Sequence, residues 1–197
     1  MIATAILAAG SARRMRGGDK LLEPVLGAPV LRHLAAAALA AGGPVAVTLR
    51  SPDPARAAAL GGIPVTQLPV PDAAEGMAAS IRAAAAWAQK IGAAGLILCP
   101  GDLPELETAD FATIASALTS DGPPARACDR DGRPGHPVAF PARLLPELGR
   151  LQGDAGARAV LANHPPRLIP LPGHRATRDL DTPEAWTAWR AGSPPEG

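Results

Sequence analysis

Short apolar segments alternate with alanine-rich segments along most of the chain, and this alternation is the feature that most restricts its fold. Four apolar segments have the length of buried strands: residues 2–8, 45–49, 63–68 and 95–99. Alanine-rich segments of helical length lie between them at 29–41 and 77–89, and Gly42 and Gly43 end the first of these. Buried strands that alternate with helices indicate an α/β fold, with a mostly parallel sheet covered on both faces.

The second half of the chain continues the pattern with shorter elements. It predicts helices at 108–118, 154–163 and 183–190, and strands at 125–128, 138–140 and 167–171. Residues 129–137 are rich in turn formers and predict a loop. No repeat or long linker divides the chain, so we expect one domain over residues 1–191 and a flexible tail at 192–197.

The composition excludes two classes of partner. Nineteen lysines and arginines against 18 aspartates and glutamates give a net charge of +1, so no overall basic field attracts nucleic acid or an anionic membrane. With no tyrosine, two phenylalanines and three tryptophans, the chain offers few rings on which single-stranded bases could stack. It has no apolar stretch of the roughly 20 residues that span a membrane, and no basic flank of a secretory signal at its start. We therefore expect a cytoplasmic protein without nucleic-acid or membrane partners.

The loop after the first predicted strand concentrates small residues and cations. This first loop runs from Gly10 to Lys20 and contains Arg13, Arg14 and Arg16. Small residues let backbone amides approach a polyanion, and the four cations can neutralise its charge. The loop has neither the Gly-Lys-Ser/Thr of a Walker P-loop nor the Gly-x-Gly-x-x-Gly of a dinucleotide site. We interpret it as a phosphate-binding loop rather than a solvated basic turn.

A second loop, Pro100–Pro104, follows the strand at 95–99 and carries Asp102 between glycine and proline residues. Ligands of parallel sheets bind where the strands end, which is where this loop begins. A hard carboxylate oxygen in that position suits Mg²⁺, which takes its other ligands from water and substrate phosphates. Asp102 is therefore a candidate metal ligand, the alternative being an aspartate that only caps a turn.

Together the two loops resemble those of the MobA-like NTP transferase family. The shared pattern is Leu-Ala-Ala-Gly followed by Arg-Met, then Lys-Leu-Leu at 20–22 and Gly-Asp-x-Pro at 101–104. The resemblance covers nearly the whole chain. It implies a Rossmann-like three-layer sandwich of the nucleotide-diphospho-sugar transferase type, and transfer of a nucleotide from an NTP with release of pyrophosphate. Such a reaction depends on positioning and charge neutralisation, so the lack of a Ser-His-Asp or Cys-His constellation is no objection.

The resemblance also implies roles for individual residues. The base and ribose would be held by backbone contacts of Leu7, Ala8, Ala9 and Gly10, with Ser11 as a further nucleotide contact. Arg14 and Lys20 would be catalytic, binding the phosphates and stabilising the charge that develops during transfer. Asp102 would hold the Mg²⁺ that bridges nucleotide and acceptor, and Asp181 would add a second metal oxygen.

Several short segments favour one branch of the family. The first motif of the guanylyltransferase branch resembles Leu-Ala-Gly-Gly, and this chain has Ala9 in place of the first glycine. Glu75–Ser80 is similar to the Gly-Met-x-x-Ser stretch of MocA-like molybdenum cofactor cytidylyltransferases. The segments Gly135–Phe140, Gly153–Arg158 and Asp179–Glu184 agree with that branch. The resemblance therefore implies transfer of CMP from CTP to the terminal phosphate of molybdopterin.

Four residues outside the two loops are further candidates. Gly76 opens a predicted helix whose N-terminal amides attract phosphate, and Ser80 follows in the same helix, so both are expected to contact the nucleotide. By the resemblance, His136 and Arg158 would face the acceptor. Their alternatives are a turn residue before proline and an exposed helix residue.

Three alternatives to this function stay open. The chain could be a guanylyltransferase that uses GTP, an enzyme that activates a sugar or another small phosphate, or a module that binds a nucleotide or cofactor without catalysis. Lys20 and Asp102 together speak against the last of these, because a simple binding module needs no charge-stabilising lysine beside a metal ligand. The resemblance also implies that the product is handed to a molybdenum hydroxylase or its chaperone.

Overall fold

The computed structural model describes residues 1–10, 15, 18–154 and 156–192. Within these residues there are nine strands: β1 (Ile2–Ala8), β2 (Pro24–Val25), β3 (Ala28–Pro29), β4 (Val45–Arg50), β5 (Thr66–Val70), β6 (Gly95–Pro100), β7 (Ala125–Cys128), β8 (Pro134–Pro141) and β9 (Arg167–Pro170). The same residues form seven α-helices: α1 (Val30–Ala40), α2 (Pro54–Ala59), α3 (Met77–Lys90), α4 (Thr108–Ala117), α5 (Leu145–Leu148), α6 (Arg158–Asn163) and α7 (Pro183–Arg190). Ser11, Arg13, Arg14, Arg16 and the tail at 193–197 lie outside the described residues.

Seven of the strands form one sheet in the order β5-β4-β1-β6-β8-β7-β9. Every neighbouring pair is parallel except the two that involve β8, which runs against both β6 and β7. The expected mostly parallel sheet is confirmed. Because β8 is reversed, its amino end lies at the edge where the other strands have their carboxyl ends. Residues from both kinds of strand end therefore meet at one edge.

Helices cover both faces of this sheet, as a three-layer sandwich requires. Side chains alternate along β6, so that Leu96 and Leu98 pack with α3, α5 and α6, while Ile97 and Cys99 pack with α1, α4 and α7. Much of the helical packing uses alanine, and α3 buries Ala84, Ala85 and Ala88 completely. Small side chains let a helix lie close to the sheet and still exclude water. None of the helices in the described part of the chain is long and apolar enough to cross a membrane.

Several predicted bounds were wrong because distant contacts determine them. Strand β8 begins at Pro134, inside the segment predicted as a loop, because Pro134 pairs with Cys128 of β7. Strand β5 lies at 66–70 rather than 63–68, in register with β4. Helix α6 begins at Arg158 rather than at 154. Helix α4 begins at Thr108 as predicted, after a reciprocal capping box formed by Glu107 and Asp110.

Helix α2 was missed, although its start carries a sequence signal. Asp53 accepts a hydrogen bond from the Arg56 amide, and Pro54 occupies the first helical position, where its missing amide hydrogen costs nothing. The helix has only six residues, too few for a hydrophobic period to show. Its position matters because it carries Arg56 toward the end of β1.

Candidate active site

The first and second loops begin side by side at the carboxyl ends of β1 and β6. Leu7 lies opposite Pro100 in the parallel register, and the Gly101 amide donates to the Leu7 carbonyl at 3.1 Å. A Cβ at Gly101 would lie 3.2 Å from Leu21 Cδ2, so glycine allows the second loop to pass close to residues 20–22. This close approach places Asp102 next to Lys20.

The described ends of the first loop are joined by one buried arginine from α2. Only 2% of Arg56 is exposed. Its Nη1 donates to the carbonyls of Ala8 at 2.5 Å and Gly10 at 2.9 Å. Its Nε and Nη2 donate to the two oxygens of the Asp19 carboxylate at 2.7 and 3.0 Å. Asp19 in turn caps the short 3₁₀ helix Lys20–Leu22 by accepting from the Leu21 amide at 3.0 Å. Arg56 therefore fixes both Gly10 and the turn that carries Lys20.

The first turn of α3 lies beside the start of the first loop. Ala9 packs with Val70 and Ala79 in a small buried cluster, which brings the N-terminal end of α3 to the carboxyl end of β1. Gly76 caps this helix with φ of 114°, and a Cβ there would lie 1.9 Å from Asp154 Oδ1, so only glycine fits. Ser80 is buried within the helix. The structure thus gathers Ala9, Gly76 and Ser80, which the sequence predicted as nucleotide contacts.

Lys20 lies between two carboxylates that come from distant parts of the chain. Its Nζ donates to Asp102 Oδ2 at 2.6 Å and to Asp181 Oδ1 at 2.5 Å. Burial alone would lower the pKa of Lys20, but the two adjacent carboxylates outweigh that effect and raise it above its ordinary value. The ammonium group therefore carries its charge at neutral pH, and the three predicted residues form one charged centre.

Asp179 joins Asp102 and Asp181 in a carboxylate cluster whose oxygens lie within 4.8 Å of one another. Although Asp179 is the most exposed of the three, partial desolvation and the nearby Asp102 carboxylate raise its pKa above the ordinary value. Hard carboxylate oxygens at this spacing fit a divalent cation such as Mg²⁺ or Mn²⁺. The sequence had identified Asp102 and Asp181 for this role, and Asp179 is a further candidate.

His136 and Arg158, the two predicted acceptor contacts, lie near this centre. His136 is on β8, two residues before the Val138 that pairs with Leu98 of β6, and it is close enough to Asp102 for their charges to interact. Arg158 is the exposed first residue of α6. The charge of Arg158 acts on both Arg126 and His136, which places the start of α6 near the amino end of the reversed strand.

A second group of possible metal ligands has a structural explanation. Asp129, Asp131 and His174 offer ligand atoms within 4.8 Å of one another. The buried Asp129 carboxylate, however, already accepts from the amides of Asp131 and Arg133 and from Thr177 Oγ1. These bonds hold the turn between β7 and β8, so we interpret Asp129 as the anchor of that turn.

A cavity of about 540 Å³ lies near this edge but contains none of the predicted site residues. Its lining includes Leu26, Glu105, Trp189 and Arg178, the residue before Asp179. Glu105 accepts from the Trp189 indole at 2.9 Å and pairs with Arg178. The candidate chemistry therefore lies on the open edge of the sheet rather than in this cavity.

Comparison with known proteins identifies the family of this chain. A family model for the MobA-like NTP transferase domain matches residues 4–168. The chain belongs to the MobA-like NTP transferase family. The matched range includes the first loop, Asp102, His136 and Arg158, but ends before Asp179 and Asp181. No curated protein matches the chain significantly.

Solved structures extend the likeness over almost the whole chain. Rv0371c from Mycobacterium tuberculosis is 31% identical with a TM-score of 0.80, over 96% of this chain and 95% of that one. A complex of Rv0371c with manganese aligns at 27% identity and a TM-score of 0.73, over 96% of each chain. A nucleotidyl transferase from Methanothermobacter is 22% identical with a TM-score of 0.77, over 98% of this chain and 97% of that one, and shares the fold.

Membership of this NTP transferase family supports nucleotidyltransferase activity, with a nucleoside triphosphate as substrate. Sequence reasoning missed three residues that the structure places near the site: Arg56, Arg126 and Asp179. Asp179 was visible as part of the Asp-x-Asp pattern before Thr182. Arg56 and Arg126 had no local signal, because their contacts depend on strands and helices far away in the sequence.

Proposed function

We propose that this member of the MobA-like NTP transferase family transfers CMP from CTP to the terminal phosphate of molybdopterin. The products would be pyrophosphate and the cytosine dinucleotide form of the cofactor. The observation that carries a catalytic role is the position of Lys20 between Asp102 and Asp181, directly beside the loop that follows β1. A binding module has no need for a charged lysine held at a carboxylate cluster.

The transfer itself is an in-line displacement at the α-phosphorus of CTP. An oxygen of the acceptor phosphate forms a bond to this phosphorus, and the bond from the phosphorus to the oxygen that bridges to the β-phosphate breaks. That oxygen keeps the electron pair and leaves as part of pyrophosphate. The attacking oxygen is already ionised, so no general base is needed. Lys20, with Arg14 from the first loop, would stabilise the added negative charge.

Asp102 and Asp181, with Asp179 beside them, are the residues that would hold Mg²⁺. Their hard oxygen atoms fit such an ion, and the structurally similar Rv0371c has been solved as a complex with manganese, another divalent cation. When bound, the cation would neutralise phosphate charge. Lys20 would then turn from the carboxylates toward the phosphates.

The nucleotide would lie along the end of β1 and the start of α3. Leu7, Ala8, Ala9, Gly10 and Ser11 would contact the base and ribose, and Gly76 and Ser80 would contact the nucleotide from the other side. The carbonyls of Leu7, Ala8 and Gly10 already accept internal hydrogen bonds, which fix the backbone at these three residues. CTP is favoured over GTP because Ala9 and the Glu75–Ser80 segment resemble the cytidylyltransferase branch.

The acceptor would lie on the opposite side of Asp102, against His136 and Arg158. In this proposal residues 1–191 act as one nucleotidyltransferase domain in the cytoplasm, and the product passes to a molybdenum hydroxylase or its chaperone.

Pyrophosphate release tests the proposal. The protein is incubated with Mg²⁺, molybdopterin and either CTP or GTP, and each substrate is also omitted in turn. We expect release that requires molybdopterin and is faster with CTP. Pyrophosphate release with GTP but not with CTP would contradict the cytidylyl assignment. The absence of release with either nucleotide would favour the binding module. A Lys20→Gln variant should bind CTP but release pyrophosphate at least about 100-fold more slowly, because it lacks the stabilising charge.

A further inference from the structure

Two arginines and a histidine converge at the edge of the sheet beyond Asp102. Arg126 projects from β7, where its Nε donates to the Gly135 carbonyl at 3.0 Å. This hydrogen bond holds the guanidinium beside the start of β8, next to His136. Arg158 approaches from the start of α6, and its charge acts on both Arg126 and His136. We refer to Arg126, His136 and Arg158 as the basic cluster.

The two arginines of the basic cluster are not neutralised by the described part of the chain. Neither Arg126 nor Arg158 forms an ion pair with a carboxylate among the described residues. Several other arginines are paired with carboxylates, namely Arg56, Arg82, Arg175, Arg178 and Arg190. Arg32, Arg143 and Arg167 instead donate to backbone carbonyls. Burial and the nearby charge of Arg158 lower the pKa of Arg126, which shows that the two cations repel each other. Like charges held near each other are unfavourable, and an anion bound between them would relieve this repulsion.

His136 adds a second, independent observation. Its Nδ1 is buried and has no hydrogen-bond partner among the described residues. Burial, and next the charge of Arg126, lower its pKa to about 4, so the imidazole is neutral at pH 7. In the tautomer with hydrogen on Nδ1, it offers a donor beside the two guanidinium groups. A buried polar atom without a partner is costly, so His136 Nδ1 is available to a group from outside the chain.

The order of the strands places this cluster on the acceptor side. Along the sheet the order is β1, β6, β8 and β7, so the first loop, Asp102, His136 and Arg126 follow one another across the edge. Three strand spacings separate β1 from β7, about 14 Å at the usual spacing. A triphosphate held by the first loop at β1 and a second anion at the basic cluster would therefore flank the carboxylate cluster from opposite sides.

We propose that Arg126, Arg158 and Nδ1 of His136 form an anion site that binds a phosphomonoester of the acceptor. Arg126 is the new member of this site. The assignment rests on the proposed function for the identity of the acceptor, but the anion site itself does not. Its guanidinium groups would bind phosphate oxygens, and the imidazole would donate the remaining hydrogen bond.

Inorganic phosphate is a direct probe of this site. Metal-free protein is titrated with phosphate at pH 7 while the imidazole resonances are followed by nitrogen-15 NMR, with His136 assigned from a His136→Gln variant. We expect a saturable shift of the His136 resonance. Arg126→Gln should weaken phosphate binding at this resonance by at least about tenfold, because a charged hydrogen bond is lost.

Arg143→Gln is the matched control. Arg143 also donates to a backbone carbonyl, that of Gly122, but it follows β8 at the opposite edge of the sheet. The Arg143→Gln substitution should leave the phosphate affinity within about twofold of the wild-type value. If the His136 resonance does not respond to phosphate, or if Arg126→Gln binds as tightly as Arg143→Gln, the inference is wrong.

Steady-state kinetics separate this inference from the proposed function. Arg126→Gln should raise KM for molybdopterin at least about tenfold and leave KM for CTP unchanged. A phosphate response at His136 without any pyrophosphate release would keep the anion site and refute the proposed function. Pyrophosphate release without any response of the His136 resonance to phosphate would keep the proposed function and refute the anion site.

Discussion

The contact that most clearly couples stability to function is the buried Arg56. We consider Arg56→Met, which keeps much of the side-chain volume but removes the guanidinium. The substitution leaves the Asp19 carboxylate without its bidentate partner and removes the donor that Arg56 supplies to the carbonyls of Ala8 and Gly10, although Gly10 keeps a 3.5 Å hydrogen bond from Arg50 Nη2. Removing one partner of a buried ion pair costs about 3–5 kcal/mol. The Asp19 side chain is 25% exposed, so water compensates part of the loss, and we expect a cost of about 3 kcal/mol.

Equilibrium unfolding in urea measures this cost as the difference in the free energy of unfolding. Arg130→Met is the control, because Arg130 is 68% exposed and its Asp131 contact is 3.7 Å long, so it should change stability by less than about 0.5 kcal/mol. A double-mutant cycle with Asp19→Asn should give a coupling energy of at least about 1 kcal/mol. If Arg56→Met costs no more than Arg130→Met, Arg56 does not hold the first loop as argued.

Three further predictions concern single positions. Asp102→Asn should lower Mg²⁺-dependent pyrophosphate release at least about 100-fold while thermal unfolding stays close to wild type, since Asp102 lies in a loop; full activity would remove it from the metal site. Gly76→Ala should cost at least about 1 kcal/mol in urea unfolding, because its Cβ would meet Asp154 and its φ is 114°; an unchanged midpoint would contradict this packing. The depressed pKa of His136 means that the unfolded chain binds a proton below pH 6.5 that the folded chain takes up only near pH 4. The stability that the neutral imidazole contributes is therefore complete above pH 6.5 and lost as the pH falls to 4. Over this range the free energy of unfolding of the wild type should fall by about 3 kcal/mol more than that of His136→Asn. Equal losses would refute the burial of a neutral imidazole.

The sheet was largely predictable because buried parallel strands are continuous apolar segments. The strands at 2–8 and 95–99 needed no distant information, and they fixed which loops lie at the carboxyl edge. Helix α2 and the start of β8 were missed, because one has only six residues and the other depends on pairing with β7. Such elements are defined by their partners rather than by their own composition.

The candidate site shows the same division. Lys20 and Asp102 were found because each lies in a loop directly after an apolar strand, where packing alone does not explain a charge. Arg56 and Arg126 were missed because each is a single charged residue in an ordinary-looking segment. Only the folded chain shows that Arg56 spans the described ends of the first loop. Only the folded chain shows, too, that Arg126 lies beside His136 and pairs with none of the carboxylates in the described residues.

The proposed function requires that a nucleotide is joined to a phosphate acceptor at this edge of the sheet. The most direct measurement uses CTP labelled at its α-phosphate, with Mg²⁺ and molybdopterin, and follows where the label goes. We expect the label to become attached to molybdopterin, with one pyrophosphate released for each transfer. Label that appears only as free CMP, or that passes to molybdopterin from labelled GTP and not from CTP, would contradict it.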